Sequence, residues 1–132
     1  MTPNQSYGKK EKLKSRKDLD ALFNGGKSFL VFPVKVFYTY GDQATVAVKT
    51  GVGVSSRYFK KATDRNRVKR LLREAYRTEK SPLFETIEAN AVSLNVFLLY
   101  VDKTLPEYAN LKKVMATVMQ KLMQHATAQK NT

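Results

Sequence analysis

The stretch Lys60–Arg77, reading KKATDRNRVKRLLREAYR, decides how the rest of the chain is understood. On a helix advancing about 100° per residue, Val68, Leu71, Leu72, Ala75 and Tyr76 recur at i, i+3, i+4, i+7 and i+8 and share one face. Arg65, Lys69, Arg73 and Arg77 step by four along an adjacent face, with Asn66 and Arg70 in the gaps and Arg67 and Glu74 towards the far side. From Arg57 to Arg77 nine cations meet only Asp64 and Glu74, a local charge of about +7. The apolar stripe pins such a helix to a core and leaves a cationic ridge on display. A solvated surface helix usually intersperses acids at i, i+4 to offset the repulsion. Their scarcity points to a polyanion as partner, and arginine suits phosphate because its planar fork donates paired hydrogen bonds.

The whole chain agrees with that reading. Its 132 residues suit one domain with a real core. A formal charge of +13 favours nucleic acid or an anionic membrane surface. The absence of cysteine excludes disulfides and thiolate chemistry and fits a reducing compartment. The first dozen residues are polar and basic, without the apolar core of a secretory signal. The longest apolar runs, Phe29–Val34 and Val96–Val101, are too short to span a bilayer. A cytoplasmic protein with no membrane partner is expected.

Outward from the basic helix, the pattern resolves into a short series of elements. Residues 1–12 read as a flexible basic arm, 13–125 as a single RNA-binding domain and 126–132 as a polar tail. Ser15 can cap a short helix carrying Leu19, Leu22 and Phe23 that ends at Gly25-Gly26. Val34, Val36, Tyr38 and Tyr40 then alternate with Lys35, Phe37 and Thr39. After Gly41-Asp42-Gln43, Val46, Val48, Val52 and Val54 alternate with Ala47, Lys49, Gly51, Gly53 and Ser55. Period two with a turn between predicts an antiparallel hairpin whose valine face joins the core. The other face carries glycines beside a lone Phe37, which suits either an open trough or a bulge at Gly51 and Gly53.

Beyond Ser81-Pro82, residues Leu83–Ala91 are ambiguous, and Val92–Val101 is apolar on both parities, as in a strand covered on both faces. From Leu105-Pro106 a last helix repeats Leu111, Val114, Met115, Val118, Met119, Leu122 and Met123, a stripe that reads as core. The order αββαβα makes an α+β fold, a two-layer sandwich.

The chain offers little for protein catalysis. Its one histidine, His125, lies near the end and reads as exposed and idle, so neither a metal cluster nor a Ser–His pair is supported. Asp18 and Asp20 point to different sides of their helix, and Glu85 and Glu88 stand beside no motif. Gly51-Val52-Gly53 lacks the third glycine of a dinucleotide loop. A binder of single-stranded RNA is favoured, since cationic tracks and aromatic platforms hold unpaired bases, and Phe23 and Phe37 could form such a platform or pack as core. A DNA-binding regulator with the basic helix in the major groove lacks a dimerising heptad to support it.

The run Arg65-Asn66-Arg67, Val68-Lys69-Arg70 and Arg73-Glu74 resembles the R-N-R-hydrophobic-K-R-x-x-R-E signature of the bacterial ribonuclease P protein subunit. The likeness extends over most of the chain, including the helix from Leu13 with Phe23 and Gly26. The resemblance implies a ribosomal protein S5 domain 2-like sandwich with a left-handed crossover, against the usual right-handed default. It also implies a subunit that assists ribonuclease P RNA in the Mg²⁺-dependent endonucleolytic removal of the 5′ leader from precursor tRNA. Catalysis would then belong to the RNA, with Mg²⁺ bound mainly there, no catalytic or metal-binding residue in the protein, and no cleavage by the protein alone. Arg65, Asn66, Arg67, Lys69, Arg70 and Arg73 would face the catalytic RNA, with Lys60, Lys61 and Arg77 extending that surface. Leu19, Phe23 and Phe37 would line a leader cleft with Ser55 and Arg57 near its rim, and no DNA partner is expected. The chain departs from the family pattern at Leu19, where phenylalanine is frequent, and at Ser56, where lysine is common; both bear on leader binding. A ribosomal or RNA-chaperone protein of the same fold is the alternative.

Overall fold

A computed structural model describes residues 16–41, 48–89 and 93–130. In chain order these form α1 (Arg16–Gly25), β1 (Lys27–Val31), β2 (Val34–Gly41), β3 (Val48–Val54), α2 (Ala62–Glu79), α3 (Ser81–Ala89), β4 (Ser93–Tyr100) and α4 (Tyr108–Lys130). The strands make one sheet in the order β1-β2-β4-β3. The basic arm, Ser15, the turn at Asp42-Gln43, Val46 and Val92 lie outside the described residues.

The architecture is the expected α+β sandwich, with two elements that periodicity did not separate. The apolar run Phe29–Val34 is in fact the end of β1, a tight turn at Phe32-Pro33 and the start of β2, with no polar residue to mark the reversal. The ambiguous stretch after Ser81 is α3, which buries Leu83 and Ile87 one turn apart.

One expectation is corrected. β2 and β3 do not form a hairpin: β4 lies between them, antiparallel to β2 and parallel to β3. Alternation reports which face a side chain occupies and is silent about which strand lies alongside. The partner in the hairpin is β1, paired with β2 from Lys27↔Tyr38 to Val31↔Val34. β4, apolar on both parities, takes the centre because only a central strand has both edges paired and both faces covered.

The core lies between the inner face of the sheet and the helices α2, α3 and α4. Val34 and Val36 of β2 and Leu94, Val96 and Leu98 of β4 are fully buried there, against Val68, Leu72, Ala75 and Tyr76 of α2. From α4 come Leu111, Met115, Val118, Met119 and Leu122, so the methionine stripe is core. Tyr40 donates its hydroxyl to the Leu122 carbonyl, and Thr50 donates to the Tyr76 hydroxyl at 2.8 Å, tying β2 to α4 and β3 to α2.

His125 is exposed as expected but not idle: its ring stacks on Tyr38 at 5.2 Å and lies 6.0 Å from Phe29. α4 continues to Lys130, into the stretch read as a polar tail. On the opposite, outer face of the sheet sits α1, which touches β2 and β4. No helix among the described residues is long and apolar enough to cross a membrane.

Candidate nucleic-acid interface

Two surfaces carry the residues singled out in the sequence, one on α2 and one on the outer face of the sheet. On α2 the burial of Val68, Leu72, Ala75 and Tyr76 fixes the rotation of the helix. The cations are thereby turned away from the core: Asn66, Arg67 and Arg70 are exposed, and Lys69 and Arg73 half-buried. Arg67, Lys69, Arg70 and Arg73 make no hydrogen bond or ion pair with any described residue. Each therefore keeps its full set of donors for an outside acceptor.

Two further arginines of the run are engaged within the protein. Arg65 Nη1 donates to the carbonyls of Phe59 and Lys60, both at 2.8 Å. The helix N-cap, Lys61, makes no side-chain cap bond, so Arg65 braces the incoming loop instead. Arg77 is paired with Glu74 one turn back. The hydrogen bond from Arg77 holds the Glu74 carboxyl below the usual carboxylate range, and the Arg77 charge adds to the effect. Lys60 and Lys61 are exposed at the mouth of the helix.

The loop leading into α2 winds about Ser55. Its carbonyl accepts from the N–H groups of Tyr58 and Phe59, and its Oγ accepts from the Arg57 N–H at 3.2 Å. Phe59 is buried 6.1 Å from Tyr100 and anchors the loop, which leaves Arg57 and Tyr58 exposed at the end of β3.

On the outer face, α1 is held by Leu22, which is 1% exposed, while its neighbour Phe23 is 45% exposed. Gly26 is required here: a Cβ would stand 2.4 Å from the Leu22 carbonyl oxygen and 3.0 Å from Thr39 Cγ2. Phe23 meets Phe37 edge-on, centroids 5.1 Å apart and planes at 88°. Leu19, half-buried, precedes Phe23 by one turn of α1.

Phe37 is not alone. Phe97 lies directly across from it in the β2–β4 register and is also 5.1 Å from Phe23. Lys35 holds its ammonium 5.1 Å from the Phe37 centroid. The glycines do not form a bulge, because Gly51 and Gly53 pair in regular register with Phe97 and Leu99. Ser55 and Arg57 lie beyond the end of β3, and Ser55 is about 13 Å along the strand from Gly51. Phe23, Phe37 and Phe97 thus form an aromatic cluster between α1 and the outer face of the sheet, the candidate cleft, and Arg57 is exposed beyond the end of β3.

Phe97 and Lys35 are the cleft residues that sequence reasoning missed. The signal for Phe97 was its parity: it opposes Val96 and Leu98 within an apolar run, and so points to the face that bears Phe37. Among the described residues no three His, Cys, Asp or Glu side chains converge on a point.

Comparison with known proteins gives a consistent result. A family model described as Ribonuclease P matches residues 7–126. The ribonuclease P protein component of Porphyromonas gingivalis is 34% identical over 118 residues, covering 87% of this chain and 86% of that protein. The corresponding protein of Chlorobium phaeobacteroides is 34% identical over 125 residues, covering 86% of each. Among solved structures, the ribonuclease P proteins of Thermotoga maritima and Staphylococcus aureus both superpose with a TM-score of 0.64. They are 20% and 16% identical, cover 84% of this chain, and are themselves covered over 96% and 94% of their lengths. These two likenesses concern the fold.

Proposed function

The chain belongs to the bacterial ribonuclease P protein family, and from that premise we propose that it binds ribonuclease P RNA through the ridge of α2 and the unpaired 5′ leader of precursor tRNA through the cleft under α1. The observation that carries this reading is the quartet Arg67, Lys69, Arg70 and Arg73, presented by a helix whose rotation is fixed by its buried face and left without partners among the described residues. Four cations in that state neutralise phosphates and release their counterions, the main source of affinity for folded RNA. Lys60, Lys61 and Asn66 extend the surface at the start of the helix. Arg65 and Arg77 contribute mainly by shaping it, since their guanidinium groups already have acceptors.

In this reading the protein is a subunit of an endonuclease whose hydrolytic chemistry belongs to the RNA. Mg²⁺ is held mainly by the RNA in this reading, and there it would supply activation of the attacking water. The protein's own work is positional. Neutralising the phosphates near the active site lowers the Mg²⁺ concentration that the assembly needs. Holding the leader in the cleft lets the holoenzyme favour precursor over mature tRNA, since only the precursor carries that segment.

Reconstitution tests the proposal. At low Mg²⁺ the protein added to its ribonuclease P RNA should stimulate 5′ cleavage and raise affinity for precursor above that for mature tRNA, while the protein alone leaves precursor intact. Failure to stimulate would leave the chain as an RNA-binding protein with another RNA as its partner.

A further inference from the structure

The regular pairing of the β3 glycines leaves an open trough as the alternative to a bulge, yet the space above Gly53 is filled. A Cβ at Gly53 would stand 2.6 Å from Cζ and 2.8 Å from Cε1 of Phe97, so that ring lies directly over Gly53. The ring can occupy that place only because residue 53 has no side chain. From there it meets Phe23 at 5.1 Å with planes at 76°, while Phe37 meets Phe23 at the same distance with planes at 88°. Edge-to-face contact is the favoured geometry for such rings, because a positive rim meets a negative face.

The three rings are unequally available. Lys35 lies over the Phe37 ring, and Phe97 is half-buried over Gly53. Phe23 alone of the three is exposed, at 45%. It stands on a ten-residue helix, which is too short to hold a side chain in place unaided.

We propose that Phe97 is a positioning residue of the cleft: seated over Gly53, it sets the ring of Phe23 upright against Phe37, so that Phe23 offers a stacking face to a single unpaired base. This rests on the reading that the cleft takes the leader, and it adds which ring receives a base and what holds that ring. Lys35, already over Phe37, is then placed for the phosphate beside that base. The base is recognised by its flat face, so the site tolerates any of the four.

A double-mutant cycle in the reconstituted holoenzyme tests this, using precursor tRNA with an unpaired leader and the same tRNA without one. Phe23→Ala should lower affinity for the leader-bearing substrate by at least about fivefold, the loss of one base–aromatic stack. Phe97→Leu, which keeps apolar bulk so that the sheet stays covered, should produce a similar loss confined to the leader-bearing substrate. The double variant should lose no more than Phe23→Ala alone. Gly53→Ala, which displaces the Phe97 ring without removing it, should act in the same direction.

Thermal unfolding of each variant confirms a folded protein. If the losses from Phe23→Ala and Phe97→Leu add, or if Phe97→Leu leaves leader preference intact while Phe23→Ala lowers it, the positioning role is wrong and the cleft reading survives. If Phe23→Ala itself leaves leader preference unchanged, both fall.

Discussion

Arg65 and Arg73 sit two turns apart on one helix and are expected to respond differently to the same substitution. Arg73 has no acceptor among the described residues, so Arg73→Ala should leave the melting temperature unchanged and weaken RNA binding across all sequences. The slope of log K against log salt should become shallower by about 1 if it contacts one phosphate. Arg65→Ala releases two carbonyls at the loop–helix junction and should cost about 1–2 kcal/mol of stability, read by thermal unfolding. Glu74 behaves as a local brake. Its carboxyl is held below the usual range by Arg77, so at neutral pH it is ionised and keeps that arginine occupied. Whatever stability the pair adds is present above the ordinary carboxylate pKa and is lost as pH falls through the lowered one; on so exposed a pair it is small. Glu74→Gln should therefore raise RNA affinity and steepen the salt slope by up to about 1, with binding measured at several salt concentrations. No distance of this kind could be read from the spacing of the cations, because whether an arginine finds a carbonyl of its own chain depends on the path of the preceding loop.

At the scale of elements, α1 is the piece most dependent on its surroundings. Ten residues do not hold a helix in water, and among its described side chains Leu22 is the fully buried one. Leu22→Ala should cost about 2–4 kcal/mol locally. Hydrogen exchange should then quicken at residues 16–25 while β2 and β4 stay protected, and leader preference should fall with it. The outline of this helix was legible in Leu19, Leu22, Phe23 and the glycines that follow. So was the rotation of α2, because a 3.6-residue repeat with five apolar positions admits only one face. The boundary between β1 and β2 was not legible, since both sides of the turn are apolar and the turn itself, Phe32-Pro33, carries no hydrophilic mark.

Across the whole molecule, the proposed function divides the labour between the two surfaces. The ridge lies on a helix that closes one side of the core, and the cleft lies on the other side of the same sheet, so RNA and leader are expected to meet different faces. Because no described carboxylates or imidazoles converge, chelating divalent ions should leave the protein's melting temperature and circular dichroism unchanged while halting cleavage by the holoenzyme. A fall in melting temperature on chelation would place a metal in the protein after all.

The sequence alone pointed to a polyanionic partner and determined the side of α2, α4, β2 and β3 that faces the core. Net charge and the period of the apolar residues are properties of the chain, independent of its path. The order of strands, the insertion of β4 between β2 and β3, the capture of Arg65 and Arg77 and the seat of Phe97 over Gly53 were decided only in three dimensions. Each depends on which distant segments lie side by side, and a local repeat carries no information about its neighbour.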